Sequence, residues 1–412
     1  MAKPQGRWDS STWDNASWVG PLQGWGNDWR FWYQIGTTQS TELTSMVVEA
    51  RWSTDSYTMG DGTFRGDLQP GKCAIRLWDP GYLLDKLDKR GAVWATYVPT
   101  GATWAWFYDT VDRPLVAPGD PMGADMVYSG LTWPARLTAH WSQTARPVES
   151  VTARINAMVT VMAGLTMPTM AGAVATQNQL VVANVVDTAD PSGNPPGVLA
   201  TLRTAAANGV LWLSYRMDGS GNGVMTVNYA RWETVNTART IGGIQIVAGP
   251  PVETSVGWLI NLVGFAGTRG DTGAQTTVNT QGGLPMGAYG VNYLGAMRLN
   301  GDISTSTAPE WSGQNGTAQA IMNDRSAPLE HYLSTITVQS GKRWTHAGAP
   351  SASQWDPTAH LWSPLDQMSY LDPIDNKTHL YRVTKSDHVL NATVWQTVHT
   401  LEKFTGPAAL PT

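Results

Sequence analysis

The chain has 412 residues and a single cysteine, Cys73, so it is long enough for two or three domains and cannot staple itself with an intramolecular disulfide. Its 27 Lys plus Arg stand against 32 Asp plus Glu, a formal charge of -5 with no basic block, which argues against a nucleic-acid binder. The opening MAKPQGRWDSSTWDNASW lacks the apolar core of a signal peptide, and nowhere do about 18 uncharged apolar residues run together, so neither an export signal nor a membrane span is expected.

Composition sets the fold class. With 21 Trp against 5 Phe, 42 Gly, 25 Pro and 14% charged residues, the balance favours a β-rich, turn-rich protein. Low charge with many aromatics also suggests surface that something else covers, because charged residues are depleted where interfaces are buried.

Residues 1–32 hold Trp8, Trp13, Trp18, Trp25, Trp29 and Trp32, spaced by Gly, Ser, Asp and Asn without helical or strand period. They read as an irregular arm. The entropy lost on ordering such a segment exceeds what burial of its Trp side chains alone offsets, so the arm needs a docking surface. These six Trp are therefore candidate subunit contacts; a sugar-stacking platform is the competing reading, because aromatic faces bind pyranose rings.

From Phe31 to Ser142 short apolar runs alternate with turn chemistry: FWYQIG, LTSMVVEARWS, KCAIRLWD, AVWATYV, TWAWFYD and MVYSGLTWPARLTAHWS. These are strands at the spacing of an antiparallel barrel or sandwich, with MGDGTF as a turn and DPGYLLD as one short helical turn. Pro147 then opens PVESVTARINAMVTVMAG, whose apolar residues recur at spacings of three and four up to Gly164, which predicts an amphipathic helix. TMPTMAGAVATQNQ reads as a linker and LVVANVV as a strand. GVLATLRTAAANG predicts a second helix. VLWLSYRM and VMTVNYARW, joined by DGSGNG, predict a hairpin.

The last 160 or so residues hold the strand SVGWLINLVGFAG, a Gly-rich stretch, a short helix at 317–325 and a strand after Pro328. A closing hairpin follows, THLYRVTKS and ATVWQTVHTLEK around DHVLN. No fixed-period repeat is evident, which speaks against a propeller or solenoid.

No chemistry-bearing motif survives scrutiny. GSGNG at 219–223 joins two strands and lacks the Lys and helix N-terminus that a phosphate loop needs. Glu330 and His331 do not extend to H-E-x-x-H, and no G-x-S-x-G elbow occurs. With Ser386 paired to Val394, His379 and His399 share a face while His388 lies in the turn, too far to complete a tetrahedral metal site. Asp356, Asp366, Asp372 and Asp375 sit among Pro, Ser and Asn, where Asp is a routine turn former. The Arg-Gly-Asp triplet at 269–271 reads as chance. Neither a catalytic centre, nor a metal, nor a cofactor is expected.

In combination, several segments carry a resemblance. KCAIRLWDPGYLLD, MVYSGLTWPARL, GVLATLRTAAANGVLWLSYRMDGSGNGVMTVNYAR and HLYRVTKSDHVLNATVWQTVHTLE follow one another as in the hub, or tail-tip minor tail protein, of long-tailed bacteriophages, over roughly residues 33 to 403. The Trp-rich arm and the loop at 341–377 depart from that pattern.

The resemblance implies a mainly β chain with two β-barrel-like domains, a small α/β insertion and an irregular Trp-rich N-terminal arm. Its boundaries would be 1–32 for the arm and 33–146 for the first barrel. The insertion would span 147–250, with helices at 147–163 and 197–208 and a hairpin at 210–231. The second barrel would span 251–412, with a closing hairpin at 378–403. It further implies a non-enzymatic virion protein at the tail tip, assembled in the host cytoplasm. A homo-oligomeric ring, trimeric by preference or hexameric, would cap the tail tube and hold tube, distal tail, tip or receptor-binding proteins. Arg231, at the strand end where the family pattern has Arg, joins the candidate subunit contacts. No membrane and no specific nucleic acid are expected as partners. The alternative is a carbohydrate-binding β-rich adhesin using the arm.

Overall fold

The computed structural model describes residues 25, 28–34, 41–59, 66–79, 91–112, 124–132, 149–150, 153, 156–157, 160, 169–175, 180–181, 209–231, 238–240, 252–255, 262–268, 275–281, 298–302, 329–341, 357–363, 366–371, 376–392 and 394–403. Among these the chain is mainly β.

Fifteen strands of the described chain join one principal sheet. They are β1 (Trp29–Gln34), β2 (Thr41–Glu42), β3 (Val47–Ser53), β4 (Lys72–Asp79), β5 (Ala92–Tyr97), β6 (Ala102–Asp112), β7 (Ala124–Leu131) and β8 (Thr169–Ala175). Then come β9 (Gly209–Met217), β10 (Gly223–Arg231), β11 (Ala238–Thr240), β12 (Thr335–Gly341), β13 (Gln367–Leu371), β14 (Thr378–Leu390) and β15 (Val394–Lys403). The main path runs β8-β10-β9-β6-β7-β4-β3-β14-β13-β11, with β1, β2 and β5 joined through β6, and β12 and β15 joined through β14.

The apolar alternation of the first half becomes strands close to where it is read. KCAIRLWD is β4 to the residue, and its pairing with β7 puts Ile75 opposite Tyr128. The hairpin around DGSGNG is β9 and β10, in continuous register from Gly209↔Arg231 to Met217↔Gly223. Its turn has a local cause. The backbone N–H groups of Ser220 and Asn222 donate to Asp218 Oδ1 at 2.9 and 2.8 Å, and Gly221 adopts a φ of 78° that other residues rarely tolerate.

Three local readings change. Ala153, Asn156, Ala157 and Thr160 are helical, and the Thr160 hydroxyl donates to the Asn156 carbonyl one turn back. Glu149–Ser150, expected inside that helix, instead form a strand against Leu180–Val181. The first turn of a helix leaves its backbone N–H groups without intrahelical partners, so pairing with a passing strand competes well there. The expected linker contains β8, which lies parallel to β10 with a register shift between Met170 and Ala173, a step that includes Gly172. Glycine inside a strand often marks such a bulge, and tertiary pairing overrides weak local propensity. The Gly-rich stretch contains a strand, Gln275–Gln281, paired with Leu262–Thr268. The helices expected at 197–208 and 317–325, and the DPGYLLD turn, lie outside the described residues.

The closing hairpin is present, but its register differs. Ser386 pairs with His399, not Val394, and Leu390 pairs with Trp395, so the turn falls at 391–393. There Asn391 Oδ1 accepts the Val394 N–H at 3.0 Å while the Asn391 N–H donates to the Val394 carbonyl at 2.9 Å. His388, expected in the turn, is thereby a strand residue paired with Thr397.

β14 uses both its edges. Along one edge its first residues pair with β13 and its last four with β3, Asp387↔Ser53 to Leu390↔Ala50; along the other it pairs with β15. The end of the chain is thus hydrogen-bonded into strands of the first half. Two apolar clusters flank this junction. One holds Trp29, Phe31, Trp52, Ile75 and Trp106 with Leu390 and Trp395, and the other holds Ile336, Val338, Trp362, Tyr381, Val383 and Leu401.

Candidate functional site

Where the clusters meet, the strand period of two brings polar side chains inward together. Ser386 and His388 on β14 face Thr397 and His399 on β15, and His360 arrives from the short 3-10 turn Pro357–His360; all five are buried. Each imidazole stacks on an indole. His360 stacks on Trp395 with ring centroids 4.1 Å apart, His399 on Trp362 at 4.4 Å, and His388 on Trp52 at 4.8 Å.

Hydrogen-bond direction assigns the protons. The Trp395 indole N–H, which can only donate, points to His388 Nδ1 at 3.4 Å, so that nitrogen accepts. The Thr397 hydroxyl therefore also donates to His388 Nδ1, at 2.8 Å, and its oxygen accepts a hydrogen bond from His360 Nδ1–H at 2.7 Å. A neutral His388 then carries its proton on Nε2, which is buried and has no hydrogen-bond partner. Burial holds all three imidazoles neutral: His360 is pushed down to about 3 and His399 to about 4, and His388 falls well below the ordinary histidine value.

Ser386 and His399 look like a nucleophile and its base, and the burial argues otherwise. His399 Nε2–H donates to the Ala359 carbonyl at 2.7 Å, so Nδ1 accepts the Ser386 hydroxyl at 2.7 Å. Ser386 is 1% exposed and His399 0%, so no substrate reaches the hydroxyl. The pair satisfies buried polar groups.

Beside this cluster opens a cavity of about 210 Å³, lined by residues of both chain halves, among them Asp55, Trp104, Thr132, Trp212, Trp362 and His388. Asp55 is buried just beyond β3, and its Oδ1 accepts from the Thr132 hydroxyl and from the Gly71 N–H. Desolvation outweighs both bonds and raises its carboxyl to about 6. Asp55, His360 and Trp362 were not legible as site residues. The one available signal was the inward alternation Trp395, Thr397, His399, which becomes informative only once the turn is placed at 391–393.

The candidate subunit contacts are scattered. Trp25 and Trp29, expected in an irregular arm, are buried in the chain's own core, and Trp29 belongs to β1; a side chain 1% exposed has little surface left for a neighbour. Trp32 is half-buried on β1 opposite Trp94. Arg231 ends β10 opposite Gly209. Trp8, Trp13 and Trp18 lie outside the described residues.

His379 pairs with Tyr370, so His360 rather than His379 joins His399. Asp366 forms a turn as expected but is buried rather than solvated: its Oδ2 accepts the Ser363 N–H at 3.1 Å, and its own N–H donates to the Ser363 carbonyl. Asp356, Asp372, Asp375 and the 269–271 triplet lie outside the described residues. Cys73 is buried and its thiol is pushed up by desolvation. Among the described residues no group of three or more His, Cys, Asp or Glu is placed to hold a metal ion.

No protein-family model matches the chain, and no curated protein matches its sequence. Solved structures do resemble it. It is similar to the tail protein from Neisseria meningitidis MC58, at 9% identity and a TM-score of 0.49 over 93% of this chain and 99% of that one. It is also similar to prophage tail protein gp18 from Listeria monocytogenes EGD-e, at 8% identity and a TM-score of 0.49 over 90% and 94% of the two chains. A third is the 43 kDa tail protein of prophage MuSo2 from Shewanella oneidensis, at 11% identity and a TM-score of 0.46 over 93% and 100%.

Proposed function

We propose that the chain is a structural, non-enzymatic component of a phage tail, and within the tail the hub ring at the tip or baseplate. It would cap the tube and anchor tip or receptor-binding proteins. The observation that carries this reading is the double use of β14. A protein that transmits load between neighbours above and below must not come apart between its halves, and strand pairing of residues 387–390 with β3 ties the C-terminal hairpin to the N-terminal half. The sequence resemblance supplies the rest: a first barrel over 33–146, an insertion over 147–250 and a second barrel over 251–412.

The ring closes by cyclic symmetry, so one interface recurs around it. A trimer is the expected copy number and a hexamer the second. Arg231, at the end of β10, would offer its guanidinium to a carboxylate or free carbonyls of the next copy. Light scattering and negative-stain images of the purified full chain test the reading: closed rings support it, and a monomer at every concentration overturns it. Arg231→Ala is expected to weaken ring formation more than it lowers Tm; equal ring formation in variant and wild type removes Arg231 from the interface.

A further inference from the structure

We propose that the cavity between β6, β9 and residues 357–363 receives the arginine side chain of a neighbouring protein chain, its guanidinium held between the Asp55 carboxylate and the indoles of Trp104 and Trp212. That the occupant belongs to a protein rests on reading this chain as one part of a tail assembly; the chemistry of the site does not. Asp55 is 5% exposed and borders this cavity, but not the larger groove lined by Arg51, Lys72 and Lys385. Its two hydrogen bonds, from the Thr132 hydroxyl and the Gly71 N–H, both end on Oδ1. Oδ2 has neither a hydrogen-bond nor an ion-pair partner, and it is not among the orphan atoms sealed from solvent, as His388 Nε2 is.

A buried carboxylate without a cation is the exception in proteins, because only pairing offsets its desolvation. Here desolvation outweighs both hydrogen bonds and lifts the carboxyl to about 6, so an ionised group short of positive charge remains at neutral pH. No Lys or Arg lines the cavity. The other titratable groups on its lining are Tyr215, His360 and His388, and burial holds both imidazoles neutral. The counter-charge is left for a ligand to bring.

The aromatic wall selects the kind of cation. Trp104 and Trp212 line the cavity while half-buried, and Trp362 lines it from the opposite segment. Trp362 stacks on His399 and Trp104 packs against Trp29, Trp52 and His388, whereas Trp212 stacks on no ring among the described residues and keeps its faces for a ligand. A guanidinium is planar, weakly hydrated, stacks on indoles and donates to a carboxylate through a fixed fork; an ammonium is compact and strongly hydrated. An anion would meet Asp55 with nothing to offset it, and a purely apolar ligand would leave Oδ2 unpaired. At about 210 Å³ and half-open, the cavity admits a side chain that enters from outside.

Saturation-transfer NMR on the purified full chain tests this with N-acetyl-argininamide, N-acetyl-lysinamide and the uncharged N-acetyl-citrullinamide, each supplied separately at millimolar concentration. The expected result is saturation of the arginine side-chain protons, with a Kd about tenfold below that of the citrulline amide and below that of the lysine amide. Asp55→Asn keeps an oxygen for Thr132 and Gly71 and removes the charge; it should raise the Kd for the arginine amide about tenfold. Trp212→Leu keeps apolar bulk without the aromatic face and should raise it about fivefold, with Tm little changed. In the wild type, lowering the pH from about 7.5 to about 5 protonates the carboxyl and should weaken binding about tenfold. No transfer to the arginine amide, citrulline or lysine amide bound as tightly, or a Kd unchanged in Asp55→Asn overturns the proposal. The probes are small molecules and the cavity lies within one chain, so the presence or absence of closed rings bears on the hub reading alone.

Discussion

Trp25 donates its indole N–H to the backbone carbonyl of Asn391 at 2.7 Å, across 366 positions of sequence. The bond ties the start of the described chain to the turn of the closing hairpin, which explains how one Trp of a segment without local period becomes ordered. Trp25→Phe keeps most of the apolar surface and deprives the carbonyl of this donor. The expected loss is about 1–3 kcal/mol in denaturant unfolding with an unchanged m-value. A midpoint equal to that of the wild type would show that the bond adds nothing.

Trp395 is 1% exposed and touches both sides of the junction: its ring lies 4.1 Å from His360, 4.9 Å from Trp29 and 5.0 Å from Tyr97, centroid to centroid. Trp395→Ala leaves a cavity there and removes a donor from His388. The expected cost is about 3–5 kcal/mol, a large share of the stability of a typical domain. Calorimetry of the variant checks it, and a loss under about 1 kcal/mol would mean that the site collapses to fill the space.

Acid is expected to destabilise the fold through its histidines. Their folded values lie below the unfolded value near 6.5, so below that pH the unfolded chain takes up protons that the folded chain refuses. The stability they contribute is present above about pH 6.5 and is lost progressively as pH falls toward about 4. Asp55 has the opposite sign. Its folded value near 6 lies above 3.8, so its contribution is present below 3.8 and lost as pH rises through 6. Three groups outweigh one, and Tm should fall between about pH 7 and pH 4. Asp55→Asn should raise stability at about pH 8 by up to about 3 kcal/mol and steepen the fall. A flat Tm across that range contradicts the burial of neutral imidazoles.

Truncation after Asn376 removes β14 and β15 and so strips β3, β12 and β13 of partners. Exposed strand edges invite self-association, and the product is expected to be insoluble or aggregated. Truncation after Phe404 removes no residue of the described sheet and is expected to leave a soluble protein. Size-exclusion chromatography of both products distinguishes the cases, and a soluble, monodisperse shorter product would show that the hairpin is peripheral.

What could be read from the residues alone follows from interactions between near neighbours. The β9-β10 hairpin was legible because Asp218, Gly221 and the strands that flank them encode a turn within a few positions, and β4 because alternation of apolar residues marks a face whatever it packs against. The β-rich class followed in the same way from Gly, Pro and Trp content. The register of the closing hairpin was not legible. DHVLN and the segment at 391–393 are both acceptable turns, and the choice between them rests on burying His388 against Trp52 and Leu390 beside Ala50, residues more than 300 positions away. The same distance hid the cavity: Asp55 reads as a loop residue until Thr132 and Gly71 reach its carboxylate, and His360 as a stray histidine until Trp395 covers it. Backbone preferences are local and survive in any short window of sequence, whereas the partner of a strand edge is decided by competition among all the edges that the folded chain brings near it.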